Sequence, residues 1–163
     1  EYDLCVSSQT RNRNMLRAEP LIREKIVLAV HENHPFARRK SVSIADLKGQ
    51  KLISMPEQTA LYAVIAQSCN NCGFTPYIPI ICDDPYFIRK YVSENMGVAP
   101  APVISWKGRF RENTLLVPFD DDTLHVTSYL LWDDRRYMSP TVREFRDYLL
   151  EEAKAIPNNL ITR

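Results

Sequence analysis

Glycine is scarce in this chain: four residues in 163, at positions 49, 73, 97 and 108, against eleven prolines. Phosphate cradles of the G-x-G-x-x-G or Walker type need glycines close together, so nucleotide-binding enzymes of those classes are excluded. An excess of either charge is also missing. Lys and Arg number 21 and Asp and Glu 20, for a net charge of +1. That balance argues against a surface that grips nucleic acid, where a basic excess is the usual footprint. It argues equally against an acidic disordered tail or a polybasic membrane anchor. No apolar run approaches the ~20 residues that span a bilayer, and the first residues lack a basic start followed by an apolar signal region. Cysteines are few, at 5, 69, 72 and 82. A chain of this length with 45% hydrophobic residues builds a core without disulfides, so the cysteines read as reduced thiols and the expected location is cytoplasmic.

What is present is an alternation of strand and helix signals. Tyr2–Val6 reads as a short strand ending in Ser7 and Ser8, followed by a polar stretch from Gln9 to Asn14. Leu21–Val30 condenses into a second strand closed by His34-Pro35, because the residue before proline is pushed out of helical geometry. Ser43 caps a short turn through Leu47 that Gly49 stops. Lys51–Ser54 is a third strand, and Thr59 caps a helix over Ala60–Cys72 whose Leu61, Val64, Ile65 and Ser68 share a face. Gly73 ends it. Tyr77–Cys82 is a strand, and Asp84-Pro85 starts a helix with Phe87, Ile88, Tyr91 and Val92 facing inward and Gly97 closing it. Val98–Ala101 is a strand ended by Pro100 and Pro102, and the charged stretch after Trp106 is a connector. Strands at Leu115–Val117 and Leu124–Trp132 flank a turn. A final helix runs from Ser139-Pro140 to about Ala153, with Val142, Phe145, Tyr148 and Leu149 inward, and a tail follows from Ala155 to Thr162. Such alternation implies an α/β chain with a parallel sheet in its middle segment.

The candidate binding residues cluster at two helix starts. Pro56, Gln58 and Thr59 precede one helix; Asp83, Asp84 and Pro85 precede the next. The first amides of each helix lack intrahelical partners and, with the helix dipole, favour an anion. Both loops fall at the carboxyl ends of parallel strands, where open α/β sheets bind ligands. The alternative is that Thr59 and Asp84 simply cap their helices. For Thr59 the two roles coexist; at Asp84 they compete, because its charge repels an anion and favours an amine-bearing or neutral ligand. Cys69-Asn70-Asn71-Cys72 is a C-x-x-C at a helix end, the wrong pole for lowering a thiol pKa. No second C-x-x-C or histidine pair completes a zinc site. Asp120, Asp121 and Asp122 lack calcium-loop spacing and read as a solvated turn. His31, His34 and His125 are scattered, and no nucleophile–base pairing or G-x-S-x-G elbow appears. No enzyme activity, metal or cofactor is expected.

From Glu24 onward the order of pieces resembles the effector-binding domain of LysR-type transcriptional regulators. The strand Lys25–Val30 leads into His34-Pro35-Phe36-Ala37, similar to the family's His-Pro-Leu-Ala stretch. Ser43–Gly49 resembles its short Ala-Asp-Leu helix. Cys72-Gly73-Phe74-Thr75-Pro76 resembles its helix exit, and Asn95-Met96-Gly97-Val98-Ala99 with Pro102 its glycine-containing run. Ser139-Pro140 with Phe145 looks like the final helix, and Tyr2–Val6 is similar to its Asp-Leu strand.

The resemblance implies a two-lobed, periplasmic-binding-protein-like α/β fold with Rossmann-like lobes. Residues 24–106 would form a complete second lobe, 1–23 and 107–153 a partial first lobe, and 154–163 a tail. It implies bacterial origin and a small-molecule metabolite effector held in the inter-lobe cleft, with Ser7 and Ser8 on the wall opposite Pro56, Gln58, Thr59, Asp83, Asp84 and Pro85. Ligand binding would shift the lobe arrangement. Promoter DNA would be reached only through an N-terminal winged helix-turn-helix not found here, so an N-terminally truncated regulator is expected. Full-length members form homodimers or homotetramers. The family's peroxide sensors use two well-separated cysteines, a spacing not reproduced here. A free-standing solute-binding protein of the same architecture is the alternative.

Overall fold

The computed structural model describes residues 2–8, 16–106 and 108–156. The expected polar stretch Gln9–Asn14 and most of the expected tail lie outside the described residues. In chain order the elements are β1 (Cys5–Ser7), β2 (Arg17–His31), β3 (Ile53–Ser54), α1 (Ala60–Asn71), β4 (Ile80–Ile81), α2 (Pro85–Ser93), β5 (Ala99–Pro102), β6 (Thr114–Pro118), β7 (His125–Trp132) and α3 (Pro140–Lys154), with 3-10 turns at Pro35–Arg38 and Ala45–Leu47.

Contacts divide the chain into two compact units, one of residues 1–24 and 127–163, the other Lys25–Val126. The larger unit holds the main apolar core. Leu28, Ala29 and Val30 in β2 are fully buried, together with Leu47, Leu52, Ile53, Cys69 and Val92. Burying a leucine of this kind stabilises the fold by roughly 1.5–3 kcal/mol. Here β2 is antiparallel to β5 on one side (Ile26↔Pro102 to Ala29↔Ala99) and to β6 (Val27↔Pro118 to His31↔Thr114). The expected parallel middle segment is present: β3 pairs parallel with β4, and Leu52 makes a parallel bridge to Val98.

Helix ends follow local chemistry. Thr59 Oγ1 accepts from Tyr62 N at 3.3 Å to cap α1. At its other end Gly73 N donates to Asn70 O and Phe74 N to Cys69 O, with Gly73 at φ 80°, a Schellman closure. Along α1 the buried residues are Leu61, Ile65 and Cys69, so Cys69 rather than Ser68 completes the stripe; Ser68 Oγ instead donates to Val64 O.

Several elements depart from expectation. Within Tyr77–Cys82 the strand itself is Ile80–Ile81, flanked by backbone bonds from Leu52 N to Tyr77 O and from Cys82 N to Ser54 O, and β2 starts at Arg17, ahead of Leu21. It is Asn95, at φ 56°, that closes α2, with Asn95 N donating to Val92 O and Met96 N to Tyr91 O. Gly97 is needed for space: a Cβ there would sit 2.6 Å from Lys51 O and 3.2 Å from Ile53 Cγ1. On α2 the buried residues are Ile88, Val92 and Ser93, while Phe87 is exposed. Pro100 and Pro102 lie inside β5, paired with Leu28 and Ile26. Two residues apart, they leave the missing N–H groups on one edge of the strand, a pattern tolerated at the end of the sheet order that β5 occupies.

The smaller unit pairs β1 antiparallel with β7 (Cys5↔Leu131, Ser7↔Tyr129), and β7 neighbours β2. Ser139 Oγ caps α3 through Val142 N. No residue of α3 is buried; of the expected inward stripe Val142 and Leu149 are half-buried, while Phe145 and Tyr148 are more than half exposed. Arg146 takes an inward position, its guanidinium 5.2 Å from the Trp132 ring centroid, a cation–π contact in which the arginine stem covers apolar surface. Where the sequence reading places the return to the first lobe at residue 107, the contacts place it at Thr127. The reason is β6, which is tied to β2 over Val27–His31.

Candidate functional site

The larger unit gathers three loops at one end of its parallel strands. Because β3, β4 and the start of β5 run the same way, the segments after them emerge together: Met55–Thr59, Cys82–Asp84 and Val103–Phe110. This is the end at which open α/β sheets take ligands.

In the first loop Pro56 is half-buried, and its carbonyl accepts from Thr59 N at 2.9 Å and Thr59 Oγ1 at 2.7 Å. The Thr59 hydroxyl is therefore engaged twice, donating to Pro56 and accepting from Tyr62 N. Gln58 is exposed. Tyr62 OH donates to Glu57 Oε1 at 3.3 Å, and burial together with the Glu57 charge pushes the phenol above its ordinary pKa.

In the second loop Asp84 Oδ1 accepts from Tyr86 N at 2.8 Å and Pro85 occupies the first helical turn. Asp83 and Asp84 are both exposed. Burial, and then the Asp83 charge, pushes the neighbouring Cys82 thiol up. Of the expected residues, the strand ends bring Pro56, Gln58, Thr59, Asp83, Asp84 and Pro85 to one end of the larger unit. Ser7 and Ser8 belong to the smaller unit, where Ser7 closes β1 opposite Tyr129.

In the third loop the charged stretch after Trp106 reads from sequence only as a connector. Trp106 in it is buried (6% exposed) and stacks obliquely against Phe110 with centroids 6.2 Å apart. Arg89 from α2 lies over the Trp106 ring at 5.8 Å, and Arg109 N donates to Trp106 O at 3.3 Å. The signal available in sequence was a tryptophan among arginines directly after a strand; its charge pattern resembled an ordinary solvated linker.

Among the described residues no group of His, Cys, Asp or Glu is arranged to hold a metal ion. No helix of the described residues is long and apolar enough to cross a membrane. The C-x-x-C sulfurs differ sharply: Cys72 is exposed, whereas burial, then the Cys72 sulfur, pushes the Cys69 thiol to about 11.

Loops at the strand ends of a mixed α/β unit, with capped helices behind them, are the arrangement at which such sheets take ligands. Residues 1–154 match the LysR substrate binding domain, and the chain belongs to that family. Among its relatives is the transcriptional dual regulator GltC of Bacillus subtilis, 26% identical over 131 residues, covering 80% of this chain and 44% of that protein. The HTH-type regulator YwbI of the same organism is 25% identical over 146 residues, 90% of this chain and 48% of that protein. The chain thus spans about half the length of the curated relatives it matches. The fold is that of solved effector-binding domains. QuiR's domain in complex with shikimate superposes with a TM-score of 0.84 at 23% identity, over 94% of this chain and 73% of that one. The regulatory domain of Synechocystis CcmR, in complex with 2-PG, gives 0.85 at 16% identity, over 96% and 76%. These domains share the periplasmic-binding-protein-like architecture expected above.

Proposed function

We propose that this chain is the effector-sensing part of a LysR-type transcriptional regulator. It binds a small metabolite at the strand-end loops of the larger unit, with Pro56, Gln58, Thr59, Asp83, Asp84 and Pro85 as the candidate contacts and Ser7 and Ser8 as the smaller unit's. The observation that carries the reading is the family match over nearly the whole chain, coinciding with three loops at one end of parallel strands. It is supported by two relatives of the same fold whose structures hold small molecules. A ligand acts here by its differential affinity for two arrangements of the protein, so no chemistry on the ligand is required. In this reading the chain is not an enzyme, and promoter DNA and the homodimer or homotetramer contacts belong to the full-length regulator.

The test is a thermal-shift and calorimetric screen of this chain against a panel of carboxylates, sugar acids, amino acids and amines, with chemical analysis of the recovered ligand. The expected result is saturable binding without turnover, weakened in Gln58→Ala and, separately, in Ser7→Ala. A chemically altered ligand would overturn the non-enzymatic reading. Sequence-specific DNA retention by this chain alone would overturn the assignment of DNA binding to other segments.

A further inference from the structure

The smaller unit leaves one edge of its sheet open. On one side β2 is flanked by β7. On the other, β5 is in register with β2 only over Ile26–Ala29, and its last bond runs from Val103 N to the Lys25 carbonyl at 3.1 Å. From Arg17 to Glu24 that second edge has no strand beside it among the described residues. Backbone groups along a strand point to alternate edges. With Lys25 facing β5, the N–H and C=O groups of Arg23, Leu21 and Glu19 face the opening. Pro20 is one position out of phase, so its missing N–H is not in that row.

A groove of about 650 Å³ runs along this edge, lined by Glu19, Leu21 and Arg23 from the strand and by Asp147, Leu150 and Lys154 from α3. Leu21 and Leu150 are half-buried, and the charged residues are exposed. Arg17 is held by Asp134 at 2.6 Å, whereas Glu19 and Arg23 have no ion-pair partner among the described residues.

An edge with unmet donors and acceptors is a template for another strand, and the order of side chains says which. Laid antiparallel on itself about Leu21, the edge sets Glu19 opposite Arg23 of the other copy, on both sides of the axis, and Leu21 opposite itself. Moving the axis to Pro20 sets Arg17 against Arg23, and moving it to Ile22 sets Leu21 against Arg23. Opposite charges facing each other across a strand pair stabilise it, and like charges destabilise it. The charges that guard this edge against other strands therefore select one register with its own copy. Because Leu21 and Leu150 share the groove, the axis also gathers apolar surface at the centre with charge at the rim, as in stable interfaces.

We infer that this edge is a self-pairing surface: two copies of the chain join antiparallel along Arg17–Glu24 of β2, with Leu21 on the two-fold axis. Each directly opposed pair of facing residues exchanges both N–H···O bonds, so the sheet continues from one copy into the next. Such a contact uses the same patch on both copies and closes at a dimer. It goes beyond the effector-sensing reading and does not depend on it.

The probe is the whole chain itself, in sedimentation equilibrium over a range of concentrations, with amide exchange followed by NMR. A reversible monomer–dimer equilibrium is expected, in which the amides of Glu19, Leu21 and Arg23 exchange more slowly as concentration rises. Glu19→Arg sets arginine against Arg23 on both sides of the axis and should weaken association about tenfold or more. Arg23→Glu, which sets glutamate against Glu19, should do the same. Both side chains are exposed, so the variants should keep the circular dichroism of the wild type. Mixing the two variants places every arginine opposite a glutamate and should restore association as a mixed dimer. Tyr148→Ala, on an exposed part of α3 outside the groove, should change nothing.

A chain that is monomeric at every concentration would overturn the pairing. So would a dimer that Glu19→Arg leaves intact, or one that the mixed variants fail to restore. A dimer lost in Tyr148→Ala and kept in Glu19→Arg would move the contact to another face of α3 and overturn it too. Edge amides protected in a monomer, and only with a metabolite present, would give the groove to a small molecule instead. The ligand screen is read by heat and melting rather than by mass, so the effector reading stands or falls separately.

Discussion

Replacing Gly97 by alanine tests how β5 is seated against β3. A Cβ at this position would lie 2.6 Å from Lys51 O and 3.2 Å from Ile53 Cγ1. The first contact is with a backbone carbonyl, which cannot swing aside as a side-chain tip can. The same carbonyl accepts from Val98 N at 3.0 Å, one of the bonds joining the start of β5 to the strand beside it. Relief therefore requires backbone movement that stretches this bond. Overpacking of this kind costs about 1–3 kcal/mol, and weakening the hydrogen bond adds up to about 1 kcal/mol. Against this, alanine reduces the entropy of the unfolded chain by roughly 0.4–1 kcal/mol. The net expectation is a loss of about 2 kcal/mol. With a urea slope of about 2 kcal/mol/M the midpoint falls by about 1 M, and the melting temperature by about 4–8 °C. Far-UV circular dichroism during urea and thermal unfolding measures both. Gly73→Ala is the comparison: it has open space around it but a φ of 80°, so its loss, about 1 kcal/mol, is purely conformational. A Gly97→Ala protein within about 0.5 kcal/mol of wild type, a spread typical of neutral substitutions, would refute the steric account.

Thiol labelling with iodoacetamide at mildly alkaline pH should modify Cys72 and Cys5 first, both exposed, and leave Cys69 unmodified until the chain unfolds. Its buried thiol is raised to about 11, and the thiolate is the reactive form. Peptide mass mapping over time checks this, and equal rates at Cys69 and Cys72 would contradict the burial. Asp133 accepts from the side chain and backbone of Arg135, and these bonds hold its carboxyl at about 2, below the ordinary 3.8. Because the folded value is depressed, its stabilising contribution is fully present above about pH 4 and is lost as pH falls through about 2. Carbon-detected NMR titration should place the Asp133 midpoint there, and Arg135→Gln should move it upward; a midpoint near 3.8 in the unaltered chain would remove the interaction.

The parts legible in sequence were those governed by contacts within a few residues. Thr59, Asp84-Pro85 and Ser139-Pro140 start helices because an oxygen acceptor satisfies an otherwise unpaired amide three residues or fewer ahead. Gly73 ends α1 because the closing residue must take a left-handed φ. The apolar run Ile26–Val30 reads as a buried strand and is one. The loops at the strand ends followed from the order of strands and helices alone.

Only the tertiary structure decided matters that depend on residues far apart in the chain. Whether Pro100 and Pro102 end β5 or lie in it depends on its place at the end of the sheet order and its pairing with β2. Gly97 is required by Lys51 and Ile53, more than forty positions earlier, while Asn95 makes the local turn. On α3 the apolar spacing suggested an inward stripe, yet Phe145 and Tyr148 face solvent and Arg146 covers Trp132, since periodicity specifies a face only when another element covers it. Arg89 of α2 reaches the ring of Trp106, seventeen residues later, because α2 packs beside the loop after β5. Composition supplied the number of charges. Where a charge meets an aromatic ring, as Arg89 meets Trp106, was decided by folding, because such a contact is a property of distances that the linear order does not contain.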